Sequence, residues 1–263
     1  MDTKFWGPSG WKLLHLITFT YEPRNKKEVA KFFELLPYIL PCKFCRASLT
    51  EYMDADPIDT KTRLTLSKWL WRIHNKVNDK LRDQGLLHDV NPSFNTVAKI
   101  YEERVNQGCM RAEFEGWDFL FSIAENHPYS RFSKSVPMEG CPARESVLCE
   151  KDKNRWNMMS ADERFNKYME FWKCVGLVLP FQEWRDAWKS CSFNEGALEK
   201  RVTLIRELWR IRCCMEKNLE LVNREEFQSL CKRLVNHRSG CGKKKRAKTC
   251  RKTRKVRSSR KTS

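Results

Sequence analysis

Apolar residues return every three or four positions along most of this 263-residue chain. In "EVAKFFELLPYIL", from Glu28 to Leu40, and in "LTLSKWLWRIHNKVNDKL", from Leu64 to Leu81, that spacing lays an apolar stripe along a helix. His74, Val77, Asn78 and Leu81 recur at i, i+3, i+4 and i+7, so polar and apolar groups share one helix face. The period-two alternation that marks strands is nearly absent, and glycine and proline, at 10 residues each, seldom interrupt the pattern. An all-α fold is predicted.

The same pattern returns later in the chain. "ILPCKFCRASL" from Ile39 aligns with "VLPFQEWRDAW" from Val178, so that Leu40, Pro41 and Arg46 correspond to Leu179, Pro180 and Arg185. "RLTLSKWLWRIHNKVNDKL" from Arg63 aligns without a gap with "RVTLIRELWRIRCCMEKNL" from Arg201, and "WKLLHLITF" at Trp11 more faintly with "WDFLFSIAE" at Trp117. Chance similarity between Trp- and Leu-rich helices is the competing explanation. The shared Leu-Trp-Arg-Ile run and the common order of the three blocks argue against it. Residues 112–240 are therefore expected to be a diverged copy of residues 5–109, the two bundles packing as an internal pseudo-dimer. The predicted domains are 1–111, 112–237 and a tail, 238–263. Cys42 and Cys45 become Phe181 and Trp184 in the second copy, and His74 and Asn75 become Arg212 and Cys213. The apolar scaffold persists while the reactive residues are lost, which places the chemistry in the first half.

Composition narrows the options. Hydrophobic residues make up 41%, which suits a globular protein. No apolar run reaches the roughly 18 residues of a membrane span, and "MDTKFWGPSGWKLLHL" lacks the layout of a secretory signal, so a cytosolic compartment is expected. The formal charge of +18 is concentrated late: from Arg238 onward there are 13 Lys/Arg and no acid, leaving +5 for the rest. Such a block repels itself and holds few core-forming residues, so a disordered tail is predicted. It offers nonspecific contact with acidic or nucleic-acid partners. A nucleic-acid-binding or structural helical protein acting through that tail is the alternative functional class, although the folded part carries no recognition motif.

Twelve cysteines in such a compartment point to redox chemistry or metal binding. A zinc site built on Cys42 and Cys45 would need two further ligands. Cys109 and His74 are the candidates, without a second Cys-x-x-Cys or a His-x-x-x-His, and no metal is expected. Pro41 can open a helix, which puts Cys42 at its N-terminus. There the dipole and free amides favour a thiolate.

Three elements, "WGPSGWKLLH" (Trp6 to His15), "PCKFC" (Pro41 to Cys45) and "HNKVNDKL" (His74 to Leu81), stand in an order and in helical settings that resemble the Erv/ALR family of FAD-linked sulfhydryl oxidases. The versions encoded by large cytoplasmic DNA viruses are the most similar. The resemblance covers about the first 105 residues. It implies a four-helix bundle that cradles FAD, with Cys42 and Cys45 as the catalytic pair beside the flavin. Trp6, Gly7, Trp11 and His15 would line the cofactor, with Tyr21 near its end. His74, Asn75, Val77, Asn78 and Lys80 would hold the adenosine and phosphates, and Lys99 and Tyr101 would complete the pocket. The chemistry suits these types: Trp and His stack, Asn pairs donors with acceptors, and Lys offsets phosphate charge.

The implied activity passes electrons from protein thiols through the cysteine pair to FAD and then to O2, giving H2O2. The viral likeness implies the host cytoplasm or the virion, with no membrane segment. Many relatives relay electrons through a second cysteine pair, for which Cys241/Cys250 and Cys141/Cys149 are the candidates. Family members also commonly form homodimers; here the second copy would occupy that face, leaving another free for self-association. No cysteine stands between Cys45 and Cys109, so the disulfide that often clamps the bundle cannot form in its usual place. Packing against the second half is expected to take over its role.

Overall fold

The computed structural model describes residues 1–142, 148–222 and 224–238. Among them every regular element is a helix. The first series is α1 (Thr3–Phe19), α2 (Lys26–Ile39), α3 (Lys43–Ala55), α4 (Arg63–Asp83) and α5 (Phe94–Asn106). The second is α6 (Trp117–Glu125), α7 (Glu150–Arg155), α8 (Ala161–Val178), α9 (Gln182–Ser190), α10 (Arg201–Leu219) and α11 (Phe227–Asn236). The first four helices pack as a bundle and α5 lies across α1 and α4. The boundaries follow local chemistry. Asp2 caps α1 by accepting from Lys4 N, and Thr62 with Thr65 forms a reciprocal capping box on α4.

The two series meet through α1 on α6 and α2 on α8. These contacts are reciprocal under the alignment that pairs Trp11 with Trp117 and Leu40 with Leu179. A Cβ on Gly10 would stand 3.0 Å from the Phe119 ring, and a Cβ on Gly116 would stand 2.6 Å from Leu13 Cδ2. Gly116 is the aligned equivalent of Gly10, and Phe119 that of Leu13. Phe32 stacks on its own equivalent, Phe171, at 5.3 Å, and Lys31 pairs with Glu170, again its equivalent. Residue i meeting j′ while j meets i′ is the signature of a two-fold interface. Ser9 reinforces the crossing: its hydroxyl donates to Glu115 O at 2.6 Å and accepts from Phe119 N at 3.2 Å. It thereby caps α6, whose own N-cap, Gly116, has no side chain to offer. The buried apolar side chains of both series form one connected core.

Two features lie outside that symmetry. Residues 126–160 connect α6 to α8, whereas α1 reaches α2 through residues 20–25 alone. The longer connection lays α7 antiparallel along α3. Asn154 Nδ2 donates to Pro37 O and to Thr50 Oγ1, Arg155 pairs with Glu51 at 2.9 Å, and Lys151 pairs with Asp54. Among the described residues there is one disulfide, Cys191–Cys214, joining the end of α9 to α10. The first half staples the corresponding ends of α3 and α4 with an ion pair instead, Arg72 Nε to Asp56 Oδ2 at 2.8 Å.

The shared core predicts that Phe171→Ala, at a fully buried position on the α2–α8 contact, costs about 3–5 kcal/mol of stability. Urea unfolding followed by tryptophan fluorescence and by circular dichroism should show one coincident, earlier transition. Two separated transitions would mean that the halves unfold independently.

Candidate functional site

Leu40, extended at ψ 136°, ends α2 and turns the chain into Pro41 and Cys42. Cys42 is the N-cap of α3, and its Sγ accepts a hydrogen bond from Cys45 N at 3.3 Å. Both cysteines are partly buried against the core. The turn is held from two sides: Met1 N donates to Pro41 O at 3.0 Å, and Arg46 Nη1 donates to Leu40 O at 2.8 Å. A helix N-terminus favours negative charge, so the sulfur atoms sit where a thiolate is stabilised.

A column of rings is built from α1, α4 and α5. Trp11 stacks on His74 with centroids 3.9 Å apart and 10° between planes. His15 Nε2 meets His74 Nδ1 at 3.0 Å, and the His15 ring stacks on Tyr101 at 4.8 Å. Tyr101 passes the contact on to Phe19, and Phe19 to Phe94. Burial, helped by the neighbouring His74, pushes the His15 imidazole down to about 3, and burial pushes His74 down to about 4. Both rings are neutral at pH 7, so their contact is a single N–H···N bond. Burial also raises the Tyr101 hydroxyl, which stays protonated. His15 Nδ1 and both polar atoms of the Gln84 amide are buried without a hydrogen-bond partner. Such orphans are costly in an interior and mark groups with unspent bonding capacity.

The face of α4 beyond Ile73 stays half open: Asn75, Val77, Asn78, Lys80 and Leu81 are all partly exposed. Lys80 Nζ donates to Ser48 Oγ at 2.5 Å, one turn past Cys45, and so ties this face to α3. Gly7 is partly exposed, and a Cβ there would meet nothing within 4 Å. Other residues singled out in the sequence stand apart from the column. Trp6 is buried 5.9 Å from Phe119, with its Nε1 unpartnered. Tyr21 is buried and donates to Thr60 O at 2.8 Å, and Lys99 is exposed on α5. Cys141 and Cys149 are both thiols, at opposite ends of the α7 segment. Cys141 contacts Met158 Sδ at 3.0 Å, and Cys149 donates to Asp152 at 3.3 Å. Cys241 and Cys250 lie outside the described residues. Among the described residues no group of three or more His, Cys, Asp or Glu is arranged to hold a metal, and no helix is long and apolar enough to cross a membrane.

The equivalent place in the second half is filled from within. Phe121 replaces His15, and Arg212 replaces His74 with its guanidinium 5.8 Å from the Trp117 ring centre. Arg212 is 3% exposed and pairs with Glu216 at 2.7 Å and Glu225 at 3.2 Å. Burial on α10 continues to Leu219, whereas on α4 it stops at Ile73.

Residues 8–100 match the model of the Erv1 / Alr family. The chain is 32% identical over 85 residues to the mitochondrial FAD-linked sulfhydryl oxidase ERV1 of Saccharomyces cerevisiae, covering 31% of this chain and 45% of that protein. It is 34% identical over 86 residues to a probable FAD-linked sulfhydryl oxidase of Acanthamoeba polyphaga mimivirus, covering 30% and 59%. Against the FAD-linked sulfhydryl oxidase ERV1 of Oryza sativa it is 30% identical over 79 residues, covering 28% and 41%. The chain thus spans about half the length of these relatives. No solved structure matches it.

The histidine pair predicts an acid-side loss of stability. Because both folded-state values lie below the ordinary value of about 6.5, the unfolded chain takes up protons that the folded one refuses. The contribution is complete above about pH 6.5 and is lost as the pH falls from there to about 4 for His74 and about 3 for His15. Urea midpoints between pH 7 and pH 4.5 should fall more gently in a His15→Gln, His74→Gln double variant than in the native protein.

Proposed function

We propose that the protein is an FAD-dependent sulfhydryl oxidase that forms disulfides in substrate proteins, passing electrons from thiols through Cys42–Cys45 to FAD and then to O2, with H2O2 as product. One observation carries this reading. Lys80, on the half-open α4 face, is bonded to Ser48 of α3, one turn past Cys45, and the same helix α4 carries His74 into a stacked Trp11–His74–His15–Tyr101 column. The relatives are named FAD-linked sulfhydryl oxidases.

The residues fit FAD. Trp11 and His74 offer flat faces, His15 Nδ1 and Gln84 hold unspent hydrogen-bond capacity, Asn75 and Asn78 supply amides, and Lys80 supplies a cation for phosphate. Open space at Gly7 lets a large group approach α1. Trp6, Val77, Tyr21, Lys99 and Tyr101 line or support this cradle in the proposal. When bound, the flavin supplies a two-electron acceptor that oxygen re-oxidises. The chain supplies the thiol chemistry. A substrate thiolate attacks Cys42 Sγ at the helix start, Cys45 leaves as a thiolate, and a second substrate thiol resolves the mixed disulfide. Neutral His15 and His74 keep the ring column uncharged.

The second half is proposed to be a cofactor-free copy that closes the dimer face internally, leaving another face for self-association; the reciprocal contacts at Gly10 and Gly116 support it. Cys141/Cys149 and Cys241/Cys250 are kept as candidate relays for bulky substrates, and the tail as a docking arm for acidic or nucleic-acid partners. The host cytoplasm or the virion is the proposed setting, supported by the mimivirus relative. Nothing among the described residues favours a nucleic-acid-binding or purely structural role.

The purified protein should be yellow, hold one flavin per chain and consume oxygen on addition of a dithiol. Cys42→Ser and Cys45→Ser should each abolish that uptake, a loss of at least about 100-fold, while keeping the colour. A colourless protein, or turnover retained in both variants, would refute the reading.

A further inference from the structure

Arg46 follows Cys45 directly and is 4% exposed, yet its hydrogen bonds end on neutral oxygens: Leu40 O at 2.8 Å and Asn157 Oδ1 at 2.9 Å. Arg164 of α8, 4% exposed, lies within electrostatic reach of it and, among the described residues, is bonded to Ser133, through O at 2.7 Å and Oγ at 2.9 Å. Among the described residues neither guanidinium has a carboxylate within 4.0 Å. Two buried cations without a buried anion are expensive, because a guanidinium out of water calls for a counter-charge. The groups able to become anionic within reach of Arg46 are the sulfur atoms of Cys42 and Cys45.

We propose that Arg46 is the electrostatic positioning residue of the redox pair: its buried charge stabilises the thiolate released on reduction and makes Cys42–Cys45 a stronger oxidant. This rests on the oxidase reading. The step it biases balances as follows. A substrate dithiol gives two electrons to the Cys42–Cys45 disulfide and becomes a disulfide. Of its two protons one stays on the Cys42 thiol and one goes to solvent, while Cys45 remains as the thiolate. Other charged groups at this end of α3 are also cationic: Lys43 on the helix itself, the Met1 ammonium on Pro41 O and Lys80 of α4 on Ser48. Burial disfavours the charged form of both guanidinium groups, and a thiolate offsets that penalty. By reciprocity the guanidinium lowers the cost of forming the thiolate.

The second half supplies an internal control. Arg185, the equivalent of Arg46, makes the same bond to the carbonyl of Leu179, the equivalent of Leu40. It is only partly buried, and Phe181 and Trp184 stand where the cysteines would be. Holding the turn therefore does not require burying the cation. Burial sets Arg46 apart, and it occurs where thiols are present.

The test uses the full chain, with the pair reduced and its alkylation by iodoacetamide followed by mass spectrometry across pH. In the native protein the most reactive thiol of the pair should titrate below the ordinary value of about 8.5. Arg46→Met should raise that midpoint by about one unit, a tenfold loss of thiolate. In a dithiothreitol redox buffer the same variant should shift tenfold toward the disulfide, about 30 mV. Arg46→Lys should keep most of the native behaviour, and Arg185→Met should leave both readings unchanged. A native midpoint at or above 8.5, or equal shifts in the Met and Lys variants, overturns the proposal even if Arg46→Met fails to fold. Absence of any thiol–disulfide equilibrium between Cys42 and Cys45 would instead sink the oxidase reading itself.

Discussion

The close crossing of α1 on α6 is the contact on which the rest of the structure depends. Two glycines allow it: a methyl group at Gly10 would press on the Phe119 ring and one at Gly116 would collide with Leu13. With the backbones this near, the Ser9 hydroxyl can cap α6 from the other half. The crossing fixes how far α1 is rolled. Leu13, Leu14 and Ile17 then turn into the common core, while Trp11 and His15 turn toward His74 on α4. Loosening it would rotate the ring column and the core together, so the proposed cofactor face depends on packing against the second half.

The halves share a frame and differ in what fills it. On α10 the sequence spends the inner face on Arg212 and Glu216, with Glu225 reaching in from the segment before α11. A buried cation of this kind is tolerable because two carboxylates accompany it. On α4 the same stretch holds His74, Asn75, Asn78 and Lys80 on a half-open face, with His74 bonded to His15 and Lys80 to Ser48. An open polar face lowers stability, since orphaned groups such as His15 Nδ1 are not compensated. The second half offsets this by giving α1 and α2 a large apolar surface to bury, which a bundle of α1 to α5 alone would leave in water.

The all-helical fold, the cysteine turn and the His74–Lys80 face were legible in the sequence because each is local. A 3.6-residue period, a proline before a cap and an i, i+3, i+4 pattern are all written in neighbouring residues. The alignment of the two series is readable for a related reason: apolar stripes survive divergence, since a core tolerates swaps of similar volume. Distant partners left no such mark. Arg46 reads as scaffold because Arg185 matches it, and its burial depends on Asn157, far along the chain. The Cys191–Cys214 pairing could not be selected among twelve cysteines. Helix α7 is too short to announce itself. Trp6 and Tyr21 are buried, Tyr21 bonded to Thr60 O and Trp6 with its Nε1 unpartnered, which a linear motif does not show.

The missing clamp on the bundle is answered by the connection through α7. Asn154, Arg155 and Asn157 grip α3 along its length, and Asn157 does so from a left-handed backbone conformation, φ 58°, that asparagine tolerates better than most residues. Its amide is used at both ends, Oδ1 accepting from Arg46 and Nδ2 donating to Val136 O at 2.8 Å. A disulfide carries no charge. The polar grip instead fixes where a guanidinium sits relative to two sulfur atoms, and Arg164 of α8 stands behind it. In the proposed enzyme the second half therefore acts on the chemistry of the first at a distance, by setting the field in which Cys42 and Cys45 exchange electrons.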